Sequence, residues 1–251
     1  MTRRPDDELL VYGRNACLAI AEGRPDDLIK AWVLESEVKR YGPLLKACAA
    51  RRRAYHVVAA EELEAVSGSR HHEGVVLLVR PWRPRFSEWL PQLGDGNCCV
   101  LALDRVQNPH NLGAILRTAA HFGVPGVVVE EGDVRLTAAA YRTAEGGAEV
   151  VPVLEVPALP KALQALKKAG FEVVATSGRA DHQLWTGPLP GRVVFLLGSE
   201  GEGLAPSLYK LADQTIAIPG TGAVESLNVS AATAVLCGSH FSRFRIHSRP
   251  F

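Results

Sequence analysis

The sequence predicts two α/β units joined by a proline-rich break, and three observations carry that reading. Apolar runs of strand length alternate with segments of helical period along most of the 251 residues. The alternation stops once, at Pro81-Trp82-Arg83-Pro84-Arg85, which no central strand accommodates. After that break, every polar cluster of interest follows a strand, where parallel α/β sheets place their ligands.

In the front unit, residues 15–22 read as a helix ended by Gly23, and 31–34 as a strand. Residues 37–53 read as a helix, with Val38, Tyr41, Leu44, Leu45 and Cys48 at helical spacing. A strand at 55–58, a short helix at 61–66 and a buried strand at 74–79 complete an α/β unit over 1–80. The linker is 81–97, with a helical turn at 86–90; its Trp82 and Trp89 either stack on a base or pack between domains. In the second unit, 98–251, strands at 99–106, 126–130, 150–154, 171–176, 193–197 and 215–218 are expected. Helices at 112–122 and 159–169 lie between them, the latter stopped by Gly170, and a long helix begins at about Asn228. Strands separated by helices imply right-handed crossovers and a mainly parallel sheet. On these rules alone the unit is doubly wound.

Composition narrows the class. A hydrophobic fraction of 47% and a charged fraction of 22% suit a soluble globular protein. Apolar runs such as 75–79 and 193–197 are strand-length and far too short to span a membrane, and the charged opening is no secretory signal. A cytoplasmic protein with no membrane association is expected. Cys17, Cys48, Cys98, Cys99 and Cys237 are odd in number and match no zinc or redox spacing, so buried thiols and no metal site are expected. A net charge of +1 does not announce a nucleic-acid binder. The local clusters Arg51-Arg52-Arg53, then Arg80, Arg83 and Arg85, then Arg243, Arg245 and Arg249 read equally as solvated faces or as nucleic-acid contacts.

Three segments carry chemistry. The first, Asn108-Pro109-His110-Asn111-Leu112-Gly113-Ala114-Ile115-Leu116-Arg117, runs from a strand into a helix. Asn111 suits its N-cap, and the helix N-terminus favours an anion such as a phosphate. Arg117, almost two turns on, is expected in nearly the same angular sector. The second, Gly198-Ser199-Glu200-Gly201-Glu202-Gly203, is a glycine-rich turn after a buried strand, its glycines permitting close approach and positive φ. Its spacing is not a dinucleotide fingerprint, which argues against a nucleotide-binding oxidoreductase. In the third, Ile218-Pro219-Gly220-Thr221-Gly222 leads to Ser226-Leu227-Asn228-Val229-Ser230, where Ser226 and Asn228 both suit an N-cap.

Taken in order, these segments resemble the SpoU (TrmH-like) family of RNA ribose methyltransferases. The matching pieces are Asn-x-Gly-Ala-Ile-x-Arg-Thr-Ala, Gly-x-Glu-x-x-Gly-Leu and Ile-Pro followed by Ser-Leu-Asn-Val-Ser, and the resemblance covers Cys98 to about Arg243. Val11-Tyr12-Gly13-Arg14-Asn15-Ala16 and His71-His72-Glu73-Gly74-Val75 resemble the ends of the family's L30e-like RNA-binding domain. The chain looks nearest to the YfiF-like branch and the large-subunit rRNA guanosine methyltransferases. Gly220 stands where the family often has Met, and Thr143, before Glu145-Gly146-Gly147-Ala148, where Ser is common.

The resemblance implies a deep C-terminal trefoil knot (the α/β-knot, SPOUT fold) in place of a doubly wound sheet. It implies S-adenosyl-L-methionine (SAM) as cofactor, lined by Thr176, Gly198, Ile218 and Leu227, and a structured RNA, rRNA or tRNA, as substrate. It assigns the catalytic set Asn111, Arg117, Glu200, Ser226 and Asn228, with Arg117 at the ribose 2′-OH. A guanidinium stays protonated, so Arg117 is read as a phosphate clamp that stabilises developing alkoxide, while that phosphate or a water takes the proton. Asn111 and Asn228 would orient Arg117 and the substrate, and Glu200 and Ser226 would fix the loops. Family members are homodimers, and the last helix, with Val229, Ala232, Val235, Leu236 and Phe241, is either core or core plus dimer interface. The alternative reading is a non-catalytic SAM- and RNA-binding protein on the same fold.

Overall fold

The computed structural model describes residues 8–244. The front half of the chain forms β1 (Leu9–Tyr12), α1 (Arg14–Gly23), β2 (Leu28–Leu34), α2 (Gly42–Ala50), β3 (Ala54–Val58), α3 (Ala60–Ser67) and β4 (Val75–Val79). There follow α4 (Phe86–Trp89), β5 (Cys98–Asp104), α5 (Pro109–His121), β6 (Val127–Glu130), α6 (Ala138–Ala144), β7 (Val153–Val156) and α7 (Leu159–Lys168). The chain continues through β8 (Glu172–Thr176), β9 (His182–Gln183), β10 (Arg192–Gly198), α8 (Pro206–Tyr209), β11 (Gln214–Ala217) and α9 (Val229–Phe244). These elements sort into two compact units. The first holds the chain up to Trp82 together with Leu136–Val150, and the second holds Arg83–Arg135 and the chain from Val151.

The first unit is built on a four-stranded sheet in the order β1-β4-β2-β3, with β2 and β3 parallel and the other pairs antiparallel. Ala31, Val33, Val75 and Leu77 are fully buried on one face, and Tyr12, Val58 and Val76 pack with Leu63 on the other. The Leu136–Val150 segment is tied in by long-range contacts. Arg24 Nε donates to Glu149 Oε2 at 2.5 Å, and Asn15 Nδ2 to Glu145 Oε2 at 2.6 Å. The Glu145-Gly146-Gly147-Ala148 stretch therefore packs with the first unit.

Two expected elements shift. The helix expected at 37–53 is a 3-10 turn at Glu35–Glu37 followed by α2, which starts at Gly42 with Pro43 in its first turn. Proline has no amide to donate and is tolerated only there, so it resets the helix start. Tyr41 instead lies buried ahead of α2, with its hydroxyl donating to Glu73 O at 2.7 Å. The strand expected at 150–154 begins at Val153, and Val150 is 67% exposed.

The second unit carries seven strands in the order β7-β6-β5-β10-β8-β11-β9, every neighbouring pair parallel. Because they are parallel, β5, β8, β10 and β11 release Asp104, Thr176, Gly198 and Ala217 at one edge. α9 packs on α5 and β10. Trp89, from the expected linker, is core: 8% exposed, with Nε1 donating to Pro125 O at 3.0 Å. Its ring packs into the core of the second unit. All five cysteines are buried and none is in a disulfide, and burial pushes the Cys17 thiol far above its ordinary range. Among the described residues no helix is long and apolar enough to cross a membrane, and no group of His, Cys, Asp or Glu is placed to hold a metal ion. Arg245 and Arg249 lie outside the described residues.

Candidate active site

The first segment leaves β5 at Asp104 and enters α5 through Asn108-Pro109. Asn108 is the N-cap, its side chain accepting the His110 amide at 2.9 Å, and Pro109 opens the helix. The N-cap expected at Asn111 is thus corrected. An Asn-Pro pair at the strand end is the signal for it, since proline is pre-organised for the first helical position. Asn111 sits in the first turn with its side chain released for other work.

Arg117 also departs from expectation. Six residues at about 100° each fall about 120° short of two full turns, so Arg117 does not share a sector with Asn111. Leu112, Ile115, Leu116 and Ala119 form the buried stripe of α5, while Arg117 is exposed. It has neither an ion-pair nor a hydrogen-bond partner among the described residues.

The second segment turns sharply. A Cβ at Gly198 would lie 2.2 Å from the Gly203 carbonyl carbon, so the strand end and the returning loop touch backbone to backbone. The Gly203 amide donates to Ser199 O at 3.0 Å and closes the turn. Positive φ occurs at Gly201 and Gly203 but not at Gly198, where close packing is the requirement.

In the third segment β11 ends at Ala217, and residues 221–228 are exposed. Asn228 caps α9: its Oδ1 accepts the Ser230 amide at 2.9 Å and the Ser230 hydroxyl at 2.6 Å. Ser226 stays on the loop, and its hydroxyl makes no hydrogen bond among the described residues. Val224 and Leu227 present apolar side chains that are 71% and 46% exposed.

The three segments meet through side chains. Asn111 Nδ2 donates to Glu200 Oε1 at 3.0 Å, Asn228 Nδ2 donates to Asn111 Oδ1 at 3.1 Å, and Asn228 Nδ2 also donates to Glu200 Oε1. Both polar ends of Asn228 are thereby used, one capping a helix and the other joining two loops. Thr176, Gly198 and Ile218 sit at or just past the ends of β8, β10 and β11, and the Thr176 hydroxyl donates to Leu196 O at 3.1 Å. Arg179 Nη2 pairs with Glu225 at 3.2 Å, drawing the loop after β8 to the one that carries Leu227.

Residues 99–238 match the model of the SpoU rRNA methylase family, and residues 10–85 match that of RNA 2′-O ribose methyltransferase substrate binding. The chain belongs to the SpoU family. It is 41% identical over 239 residues to the uncharacterized tRNA/rRNA methyltransferase YfiF of Escherichia coli O157:H7, covering 95% of this chain and 69% of the relative. It is 34% identical over 230 residues to the 23S rRNA (guanosine-2′-O-)-methyltransferase RlmB of Escherichia coli K12, covering 90% and 95%. In fold it is similar to the SpoU methyltransferase AviRb of Streptomyces viridochromogenes, solved in complex with AdoMet, at a TM-score of 0.81, 21% identity and coverage of 96% and 94%.

This SpoU chain holds its glycine-rich turn with residues that the sequence did not single out. Arg105 follows β5 with φ +56°, a left-handed conformation rare outside glycine. Its guanidinium reaches Asp104 at 3.2 Å, the Gly203 carbonyl at 3.3 Å and the Glu202 carboxylate. The Asp104 hydrogen bond and charge, with Glu202 beyond, push that guanidinium further above its ordinary value. Asp104 Oδ2 also accepts the Ala205 amide at 2.8 Å, and Asp133 accepts the Arg105 amide at 3.2 Å. An Asp-Arg pair ending a buried strand was the available signal.

Proposed function

We propose that this chain is a SAM-dependent RNA methyltransferase acting on a ribose 2′-OH of a structured RNA, with rRNA favoured over tRNA. The observation that carries the reading is the Asn111–Glu200–Asn228 network, which gathers three distant segments of a SpoU chain at the carboxyl edge of a parallel sheet. The named activity of RlmB and the AdoMet held by AviRb support it.

The residues fit such a cofactor. Exposed Val224 and Leu227 suit an apolar ring, and Glu200 and Glu225 suit cationic groups. Thr176, Gly198, Ile218 and Leu227 would hold SAM, which when bound supplies a methyl group on a sulfonium. In-line transfer needs alignment above all, and positioning alone supplies about 7–11 kcal/mol. Asn111, Glu200 and Asn228 fix the edges of that geometry. Arg117, permanently charged and with no hydrogen-bond or ion-pair partner among the described residues, grips an RNA phosphate and stabilises the developing alkoxide. Since it lies off the Asn111 sector, it serves a site completed by a second copy of the chain, in keeping with a homodimer whose last helices meet. The C-terminal path is read as the family's trefoil knot, and the first unit as its L30e-like RNA-binding domain.

SAM titration of the purified protein, together with methyl transfer to RNA from a strain lacking the gene, tests the reading. Wild type binds SAM and methylates one ribose. Arg117→Ala loses about 10²–10³-fold in turnover with SAM affinity within about twofold. Near-parental turnover would remove Arg117 from the mechanism. Failure to bind SAM would overturn the enzyme reading.

Arg105 acts as a positioning residue. Arg105→Gly relieves the left-handed backbone but leaves the buried Asp104 carboxylate without its guanidinium, so some loss of stability is expected beside the loss of turnover. Freeing the loop that carries Glu200 is expected to cost about 10- to 100-fold in turnover, through misplacement. Amide hydrogen exchange across 199–205 should quicken in the variant; unchanged exchange would sink the assignment.

A further inference from the structure

One face of the first unit's sheet is only half covered. Cross-strand partners place Leu10, Leu78, Lys30 and Ala54 in one row on it, and Tyr12, Val76, Trp32 and His56 in the next. Leu63, Val66 and Ala138 cover the part around Tyr12, Val58 and Val76. At the other end Leu10, Leu78, Lys30 and Trp32 are half-buried, and Ala54 and His56 are exposed.

Two features coincide at that end. The Trp32 and His56 rings are stacked, 6.2 Å apart and 22° from parallel, and Lys30 Nζ sits 4.6 Å from the Trp32 ring centre. Close by, where β2 and β3 begin and β4 ends, arginines converge. Arg53 Nη2 and Arg80 Nη2 both donate to the Asp26 carbonyl, at 3.0 and 3.1 Å, and Arg51 Nε lies 3.5 Å from the Asp26 carboxylate. Arg53 Nε is enclosed with no hydrogen-bond partner. Among the described residues, Asp27 and Glu149 are engaged by Arg24, and Asp26 is the acid that meets Arg51, Arg53 and Arg80.

We infer that this open half-sheet binds an unpaired stretch of RNA, with a base extending the Trp32–His56 stack and its phosphates meeting Lys30, Arg53 and Arg80. The inference rests on the RNA reading above and specifies how the first unit would engage the substrate. Stacked rings flanked by cations accept any base, because every base has a π face. Guanidinium groups suit phosphate oxygens through paired donors. A base inside a duplex cannot reach a flat sheet surface, so the occupant is a loop, bulge or end. An acidic peptide would satisfy the arginines but leave the stacked rings without a role.

Fluorescence anisotropy on the full chain tests this, using a labelled single-stranded oligoribonucleotide of mixed sequence and a duplex containing it. Trp32→Ala/His56→Ala is expected to weaken single-strand binding by about 5- to 150-fold, and duplex binding by less than about twofold. Lys30→Gln/Arg80→Gln should flatten the salt dependence by one to two phosphates, about one unit of slope. Should the aromatic variant unfold, Lys30→Gln/His56→Ala alters only partly or fully exposed side chains and asks the same question. Equal affinity of parent and variant for the single strand overturns the proposal, as do equal losses on both RNAs and absence of single-strand binding by the parent. SAM titration of the same preparations separates the two readings, because loss of SAM binding would count against the methyltransferase and not against the stacking surface.

Discussion

Replacing Asn228 with serine is expected to cut methyl transfer by about 10²–10³-fold while moving the melting temperature by no more than about 2 °C. The prediction depends on the two jobs of one side chain. Asn228 Oδ1 caps α9 by accepting the Ser230 amide, and serine caps about as well. Asn228 Nδ2 donates to Asn111 and Glu200, and serine is too short to reach either. The substitution therefore keeps the helix and cuts the bridge. Asn228→Ala removes both functions and adds about 1 kcal/mol of lost capping, so it should lower stability as well as turnover. Asn228→Asp keeps the cap but sets a second carboxylate against Glu200, which disfavours ionisation of one of the pair. That variant should regain some activity as pH falls towards the carboxylate range. Thermal unfolding and turnover of all three variants check the division; a serine variant with parental turnover would show that the bridge is not needed.

The same residues show what the sequence could and could not disclose. The parallel sheet was legible because its strands are nearly continuous apolar runs, such as 193–197, separated by helical periods. The strand order was not: β10 enters between β5 and β8, and no local period encodes which neighbours a buried strand takes. Asn228 was legible as a cap because capping is local, a matter of two residues. Its partnership with Asn111, 117 residues away, is not encoded by spacing and came into view only through the ordered resemblance. Asn111 itself was misread as a cap because Asn108 and Pro109, three and two residues earlier, already supply the helix start. The attachment of Leu136–Val150 to the first unit was hidden for a similar reason. It depends on Arg24 meeting Glu149 and Asn15 meeting Glu145, contacts across 125 and 130 residues.

Gly198→Ala is expected to be the most damaging single methyl group that can be added to the candidate site. The new Cβ would meet Gly203 C at 2.2 Å, Leu204 N at 2.4 Å and Gly203 O at 2.5 Å. All three are backbone atoms, so no rotamer change relieves the clash; either the strand end or the turn must move. Overpacking of this kind costs about 1–3 kcal/mol and sometimes more. With rigid neighbours on every side the upper end is expected, corresponding to a fall of about 6–12 °C in melting temperature. If the turn moves instead, the unfolding penalty shrinks but Glu200 leaves Asn111 and Asn228, and SAM affinity and turnover fall together. Two neighbours separate sterics from general sensitivity of the loop. Gly201→Ala meets no atom within 4 Å but must hold φ at +92°, so only a conformational cost of about 1 kcal/mol is expected. Gly220→Ala meets no atom within 4 Å and has no positive φ, and should match the parent in both measurements. A Gly198→Ala protein with parental melting temperature and parental SAM affinity would mean that the backbone contact between strand and turn is not what shapes this site.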